Sequence, residues 1–251
     1  MSARDERLER APVPAAEPRQ RWRVVFRRGP EAADLGGRDL QAAFENALAA
    51  SGLPVVGVPV VAVAAGAGEA GWRPRLQFAI ALAPGMAAEH ELFDVVLTER
   101  WPVDAVRRAL ASALPAGHEV VDVHDVWLGE PALPAQARGA EYRIVIGPGA
   151  PSADTVSKAA ATLLGRDRIE RTRQKGDRVV RYDLRPLLAN VVANEDDSEV
   201  VLRVVTLADA ELGIGRPEEV IAALAEACGV ERLEIVSIVR TNVSLSTDAR
   251  G

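Results

Sequence analysis

The chain contains one cysteine, Cys228, which excludes an internal disulfide framework, a CxxC metal or redox site and a cysteine-bound iron–sulfur cluster. Only two lysines occur, Lys158 and Lys175, and three histidines, His90, His118 and His124. His118 and His124 are six residues apart, which separates them by about 20 Å along a strand, too far for one metal ion. No Ser or Cys stands beside any of the three as a nucleophile, so the sequence nominates no catalytic residue, metal ligand or cofactor site. The longest apolar run, residues 53–67, is broken by Gly57, Pro59 and Gly66 and does not make a membrane span. Residues 1–20 are charged and proline-bearing without an apolar core, which reads as a solvated tail and not as a secretory signal. The expected setting is cytoplasmic, with no membrane partner.

What is present is a chain of 251 residues, 48% hydrophobic, with a formal net charge of −6. That balance argues against nucleic-acid binding over the whole surface, because phosphate-backbone affinity comes from clustered cations. Any polyanion site must be local, and one stretch fits. Residues 166–186 hold eight basic residues (Arg166, Arg168, Arg171, Arg173, Lys175, Arg178, Arg181 and Arg185) against four acidic ones. Two short alternating runs, 168–173 and 178–183, flank Gln174-Lys175-Gly176-Asp177, whose glycine suits a tight turn, so a basic β-hairpin is expected. Alternation places Arg168 and Arg178 on one kind of position and Arg171 and Arg181 on the other, so that both faces of the ribbon carry cations.

Elsewhere periodicity predicts a strand over 22–27 and a helix from Asp39 whose buried face is Leu40, Ala43, Phe44, Ala47 and Leu48. Ser51-Gly52 ends that helix. Residues 54–72 read as a pliable Val/Ala/Gly loop with a strand near 58–64. Strands follow at 75–82 and 91–98, then a helix opened by Pro102 with Val103, Val106, Leu110 and Leu114 inside, then a strand over 118–128 ending at a packed Trp127. After a linker at 129–139 the order repeats: a strand at 142–146, a helix capped by Ser152, the basic hairpin, strands at 187–193 and 199–206, a helix opened by Pro217, and a strand at 233–239. The fold class predicted is α+β: two tandem ferredoxin-like βαββαβ domains, antiparallel sheets with helices on one face, and the hairpin inserted in the second. The expected domains are 21–128 and 140–246, with tails at 1–20 and 247–251.

Several stretches resemble a bacterial family of unknown function, the radical SAM-linked proteins. Leu35-Gly36-Gly37-Arg38-Asp39-Leu40 is similar to that family's Leu-Ser-His-Leu-Asp-Leu loop. Ala43-Phe44-Glu45-Asn46-Ala47-Leu48, Gly52-Leu53-Pro54, the strand start Arg73-Pro74-Arg75-Leu76-Gln77-Phe78-Ala79, Asp183-Leu184-Arg185-Pro186-Leu187 and Arg216-Pro217-Glu218-Glu219-Val220 extend the match. Gly36 and Gly37 depart from the pattern where it has Ser and His, and the Val/Ala/Gly insert before Arg73 is a second departure. The resemblance implies an accessory protein that acts with a radical SAM protein or beside a ribonuclease E/G-type enzyme.

For a phosphate or RNA surface the sequence nominates the eight basic residues of 166–186 together with Arg73 and Arg75, which stand beside Trp72 as a cationic and aromatic pair. Against this stand a solvated, internally ion-paired ribbon and, at Asp183 and Arg185, a turn-fixing pair. The function expected is a non-catalytic accessory module that binds RNA in RNA modification or processing. A protein-interaction scaffold is the alternative, and a ferredoxin-like endoribonuclease is the less favoured one.

Overall fold

A computed structural model describes residues 17–60, 71–175, 178–197 and 199–246. Both tails, most of the insert at 61–70 and the hairpin turn at 176–177 lie outside the described residues, as do the side chains of Trp72, Arg173, Lys175 and Arg178. In chain order the elements are β1 (Gln20–Arg28), α1 (Gly37–Ala50), β2 (Gly57–Val60), β3 (Gly71–Pro74), β4 (Leu76–Phe78), β5 (Ala87–Leu97), α2 (Val103–Ala113), β6 (His118–Val126) and α3 (Leu133–Gln136). The second half continues with β7 (Ala137–Ile146), α4 (Ala153–Leu164), β8 (Glu170–Lys175), β9 (Arg178–Asp183), β10 (Leu188–Asp196), β11 (Glu199–Asp209), β12 (Gly213–Ile214), α5 (Pro217–Cys228) and β13 (Ile235–Leu245).

The protein is α+β with a mostly antiparallel sheet. Seven strands run in the order β10-β11-β7-β13-β5-β1-β6, with β4 paired to β5 and β12 to β11. Within each half the strand order is the same, β4-β5-β1-β6 and β10-β11-β7-β13, with antiparallel neighbours throughout. The halves meet on β5. One of its edges is paired to β1, while the other is divided between β4 at Leu76–Phe78 and β13, which runs parallel through Val239↔Ala87 and Arg240↔Ala88. One continuous sheet results.

One sheet face carries the core. In β1, Trp22, Val24 and Phe26 alternate inward and meet Leu40, Phe44 and Leu48 of α1, as the helical period requires. All four phenylalanines of the chain gather here: Phe26 and Phe44 have ring centroids 5.1 Å apart, Phe44 and Phe93 5.5 Å, Phe44 and Phe78 5.2 Å. His118 joins the cluster with its ring 5.0 Å from Phe44. The second half is packed with aliphatic side chains instead, among them Ile144, Val156, Leu163, Leu187, Leu202, Val204, Val220 and Leu224.

Several local expectations need correction. The strand expected over 75–82 is only β4, Leu76–Phe78, and a separate strand, β3, precedes it; the break is at Arg75, whose N–H is drawn off to the Val56 carbonyl. Val103 is 40% exposed although Val106 and Leu110 are fully buried: it shares their face of α2 but is the first residue of the helix, at the end of the buried stripe. Trp127 is 65% exposed, since β6 ends one residue before it. The supposed linker is structured: it contains α3 and the start of β7.

Candidate functional site

The basic stretch forms a hairpin of its own. β8 and β9 pair from Glu170↔Asp183 to Lys175↔Arg178 as a two-stranded sheet outside the large one, between α4 and β10. The register corrects one inference about faces. Arg171 is opposite Tyr182 and Arg181 is opposite Thr172, so Arg171 and Arg181 lie on opposite faces, because directly opposed residues have numbers of unlike parity here.

The cations differ in what holds them. Arg171 is anchored to the helix layer, with only 11% of its side chain exposed and its Nη1 2.5 Å from a carboxylate oxygen of Glu226 on α5. Arg185 donates to the carbonyls of Leu164, Arg166 and Leu188, which ties the end of α4 to the start of β10. Its neighbour Asp183 accepts from the backbone N–H groups of Ile169 and Arg185 at 2.8 and 3.0 Å and thereby fixes the hairpin's base. The two side chains serve the turn separately. Arg168 is exposed beside Glu170 at 3.1 Å, and Arg166 and Arg181 are exposed. Arg73 lies 3.8 Å from Glu45, and Arg75 is exposed on the rim of a small concavity of about 140 Å³ with Arg21, Gln77 and Asp94. Arg73 and Arg75 belong to the first half and are not part of the hairpin.

A second feature escaped the sequence reading. A cleft of about 550 Å³ lies where the halves meet, walled by residues 80–84 and Met86, by Gly213–Ile214 and residues 215–219, and by Gly37, with Tyr142 and Arg240 between. Two stretches that carry the family resemblance, 35–40 and 216–220, therefore border one cavity. Arg240 is 2% exposed and spans the halves, bonding both oxygens of Glu91 on β5 and the carbonyls of Ile80 and Ala81. Burial, the largest single influence, draws its pKa down, but the charge and hydrogen bonds of Glu91 together with Tyr142 outweigh it and hold the pKa above the ordinary value. Arg28, also buried, donates to the carbonyls of Leu35, Ala83 and Met86, and burial lowers its pKa to about 10 against the opposing pull of Glu91.

Gly36 and Gly37 fit this packing. A Cβ at Gly36 would come 2.5 Å from Pro84, and Gly37 has φ +54°, a conformation that side-chain-bearing residues rarely adopt. The Ser-His pair of the resembling family would need a different approach of these loops.

The histidines remain apart. His90 contacts the Thr241 carbonyl at 3.1 Å, His124 lies 3.3 Å from Asp122, and His118 is buried among phenylalanines, where burial pushes its pKa down. Among the described residues no group of three or more His, Cys, Asp or Glu is placed to hold a metal ion. No helix among them is long and apolar enough to cross a membrane.

A family model described as "Uncharacterized protein conserved in bacteria (DUF2344)" matches residues 70–215. The chain belongs to that family. The match runs from β3 through the basic hairpin to the edge of the cleft at Gly215, and so includes the hairpin and part of the cleft's walls. No curated protein matches the chain. Among solved structures it is similar to a chain of "Crystal Structure of a Cbf5-Nop10-Gar1 Complex" (12% identity, TM-score 0.47, 88% of this chain and 48% of that one). It is also similar to a chain of "Crystal structure of the archaeal box H/ACA sRNP Nop10-Cbf5 complex" (12% identity, TM-score 0.44, 89% and 48%). The DUF2344 chain thus covers about half the length of those solved chains.

Proposed function

We propose that this DUF2344 protein is a non-catalytic accessory module that binds RNA through the hairpin of β8 and β9 and acts in RNA modification or processing. The observation that carries the reading is the hairpin's independence. It is a separate two-stranded sheet, rooted by Arg171 on Glu226 and by Asp183 on its own backbone, that concentrates cations in a chain of net charge −6. Arg166, Arg168, Arg173, Lys175, Arg178 and Arg181 are the residues assigned to phosphate, while Arg171 and Arg185 position the hairpin. Arg73 and Arg75 form a secondary contact.

In this reading the halves are tandem ferredoxin-like units, 21–128 and 140–246, a view supported by their shared strand order. The partner is a radical SAM protein or a ribonuclease E/G-type enzyme, as the family resemblance implies, and the setting is cytoplasmic. The test is binding of bulk tRNA at two salt concentrations. Affinity should fall steeply with salt and should drop when Arg173, Lys175, Arg178 and Arg181 are changed together to Ala. Salt-insensitive binding, or binding untouched by the fourfold change, overturns the proposal. A scaffold reading is favoured instead if the same four changes release a protein partner from nuclease-treated complexes.

A further inference from the structure

The sheet face opposite the core is built differently in the two halves. In the first half, Arg23 on β1 is directly opposite Asp94 on β5. The corresponding strands of the second half are β7 and β11, and there Arg143 is directly opposite Arg203. Both arginines are exposed, and both border a concavity of about 290 Å³ with Glu89, Glu141 and Thr241. Among the described residues neither guanidinium has a hydrogen bond or ion pair within the chain. Directly opposed residues on adjacent antiparallel strands have Cβ atoms about 4.5–5.5 Å apart, so the two forks share one space and repel.

We propose that Arg143 and Arg203 form a site for a single phosphomonoester group, with the phosphate taking the place that the Asp94 carboxylate holds in the first half. Guanidinium forks bind phosphate oxygens in bidentate geometry, and two forks from neighbouring strands clamp one tetrahedral anion. Glu89 and Glu141 on the border restrict the site to one phosphate, because a longer polyanion laid across it meets both carboxylates. The concavity lies just below the volume of about 300–1,000 Å³ that encloses a drug-sized ligand, which suits a phosphate with a small attached group. The source is either a free nucleotide or the terminal phosphate of an RNA strand. The hairpin takes no part, since it roots on α5, on the helix-covered side of the sheet.

The test titrates the full chain with AMP by calorimetry, with inorganic phosphate as competitor. Saturable binding is expected, and Arg203→Asp, which rebuilds the Arg–Asp pair of the first half, should weaken it by about tenfold or more without lowering the melting temperature. The fourfold hairpin variant should bind AMP as the wild type does, which separates this site from the hairpin's. Competition by a 5′-phosphorylated oligoribonucleotide but not by its 5′-hydroxyl form assigns the phosphate to an RNA end. Competition by neither, with AMP still bound, assigns it to a free nucleotide. Absence of saturable AMP and phosphate binding overturns the proposal, as does an Arg203→Asp protein that folds and binds AMP unchanged.

Discussion

The two halves share strand order and direction but handle charge on the open face in opposite ways. In the first half Asp94 receives Arg21 and Arg23 together, with Nε contacts of 2.8 and 2.9 Å, and the segment leading into β7 lies over them. Arg21 also donates to the carbonyls of Glu130 and Pro131, and Arg23 to Gln136. In the second half the matching face is uncovered, and its opposed pair is two arginines. The same scaffold therefore uses one face for internal closure and leaves the other available to an external anion. A guanidinium pair is costly to bury without a carboxylate, which is why the covered half has Asp94 and the open half does without.

The comparison is broken most severely at Asp94. Asp94→Ala leaves two buried guanidinium groups with no carboxylate and should destabilise the protein by about 3–5 kcal/mol in denaturant unfolding. The cores differ in a comparable way. Phe44→Ala opens a cavity at the centre of the aromatic cluster and should cost about 3–5 kcal/mol, whereas Ile144→Val in the aliphatic half should cost only about 0.5–1.5 kcal/mol.

Much of this was legible in the sequence, for identifiable reasons. Helix starts and stops were carried by local chemistry: Gly52 at φ +74° beyond α1, Pro102, the Ser152 side chain accepting from the Thr155 N–H, and Pro217. The hairpin was legible because alternation and glycine are local signals. Pairing between distant strands was not. Nothing near Arg240 in sequence announces Glu91, 149 residues away, and a bare strand pattern does not reveal which arginine on β7 will oppose which on β11. The cleft was invisible for the same reason, since its walls come from both halves. Arg185 was expected either on the phosphate surface or in a turn-fixing pair with Asp183, and its three carbonyl partners could not be read because they come from the end of α4, the following loop and β10.

The halves should also differ in their response to acid. All three histidines lie in the first half, and His118 is held neutral there, chiefly by burial, with a pKa below its ordinary value. A folded-state pKa that is depressed contributes stability fully present above the unfolded value of about 6.5 and lost as pH falls from there through the folded value. Stability should therefore decline as the pH is lowered below that point. His118→Phe, which keeps a ring against Phe26 and Phe44, should flatten this part of the pH profile. A profile unchanged in the variant would show that other groups set the decline.

The smallest effect is the one that bears most directly on the open face. If Arg143 and Arg203 only repel, replacing one of them by its first-half counterpart should stabilise the protein. Arg203→Asp is expected to raise stability by about 0.2–1 kcal/mol, the range for an opposed pair across strands. Salt should shrink that gain, because the pair is solvent-exposed and screened. The reverse exchange is not symmetrical: Asp94→Arg would bury three guanidinium groups together, and the protein should fail to fold. A gain at Arg203 together with a collapse at Asp94 would establish that the two faces, alike in strand order, have been assigned opposite tasks. A loss of stability at Arg203 would mean that the arginine pair is held by contacts within the chain, and the equivalence of Arg23–Asp94 with Arg143–Arg203 would fail.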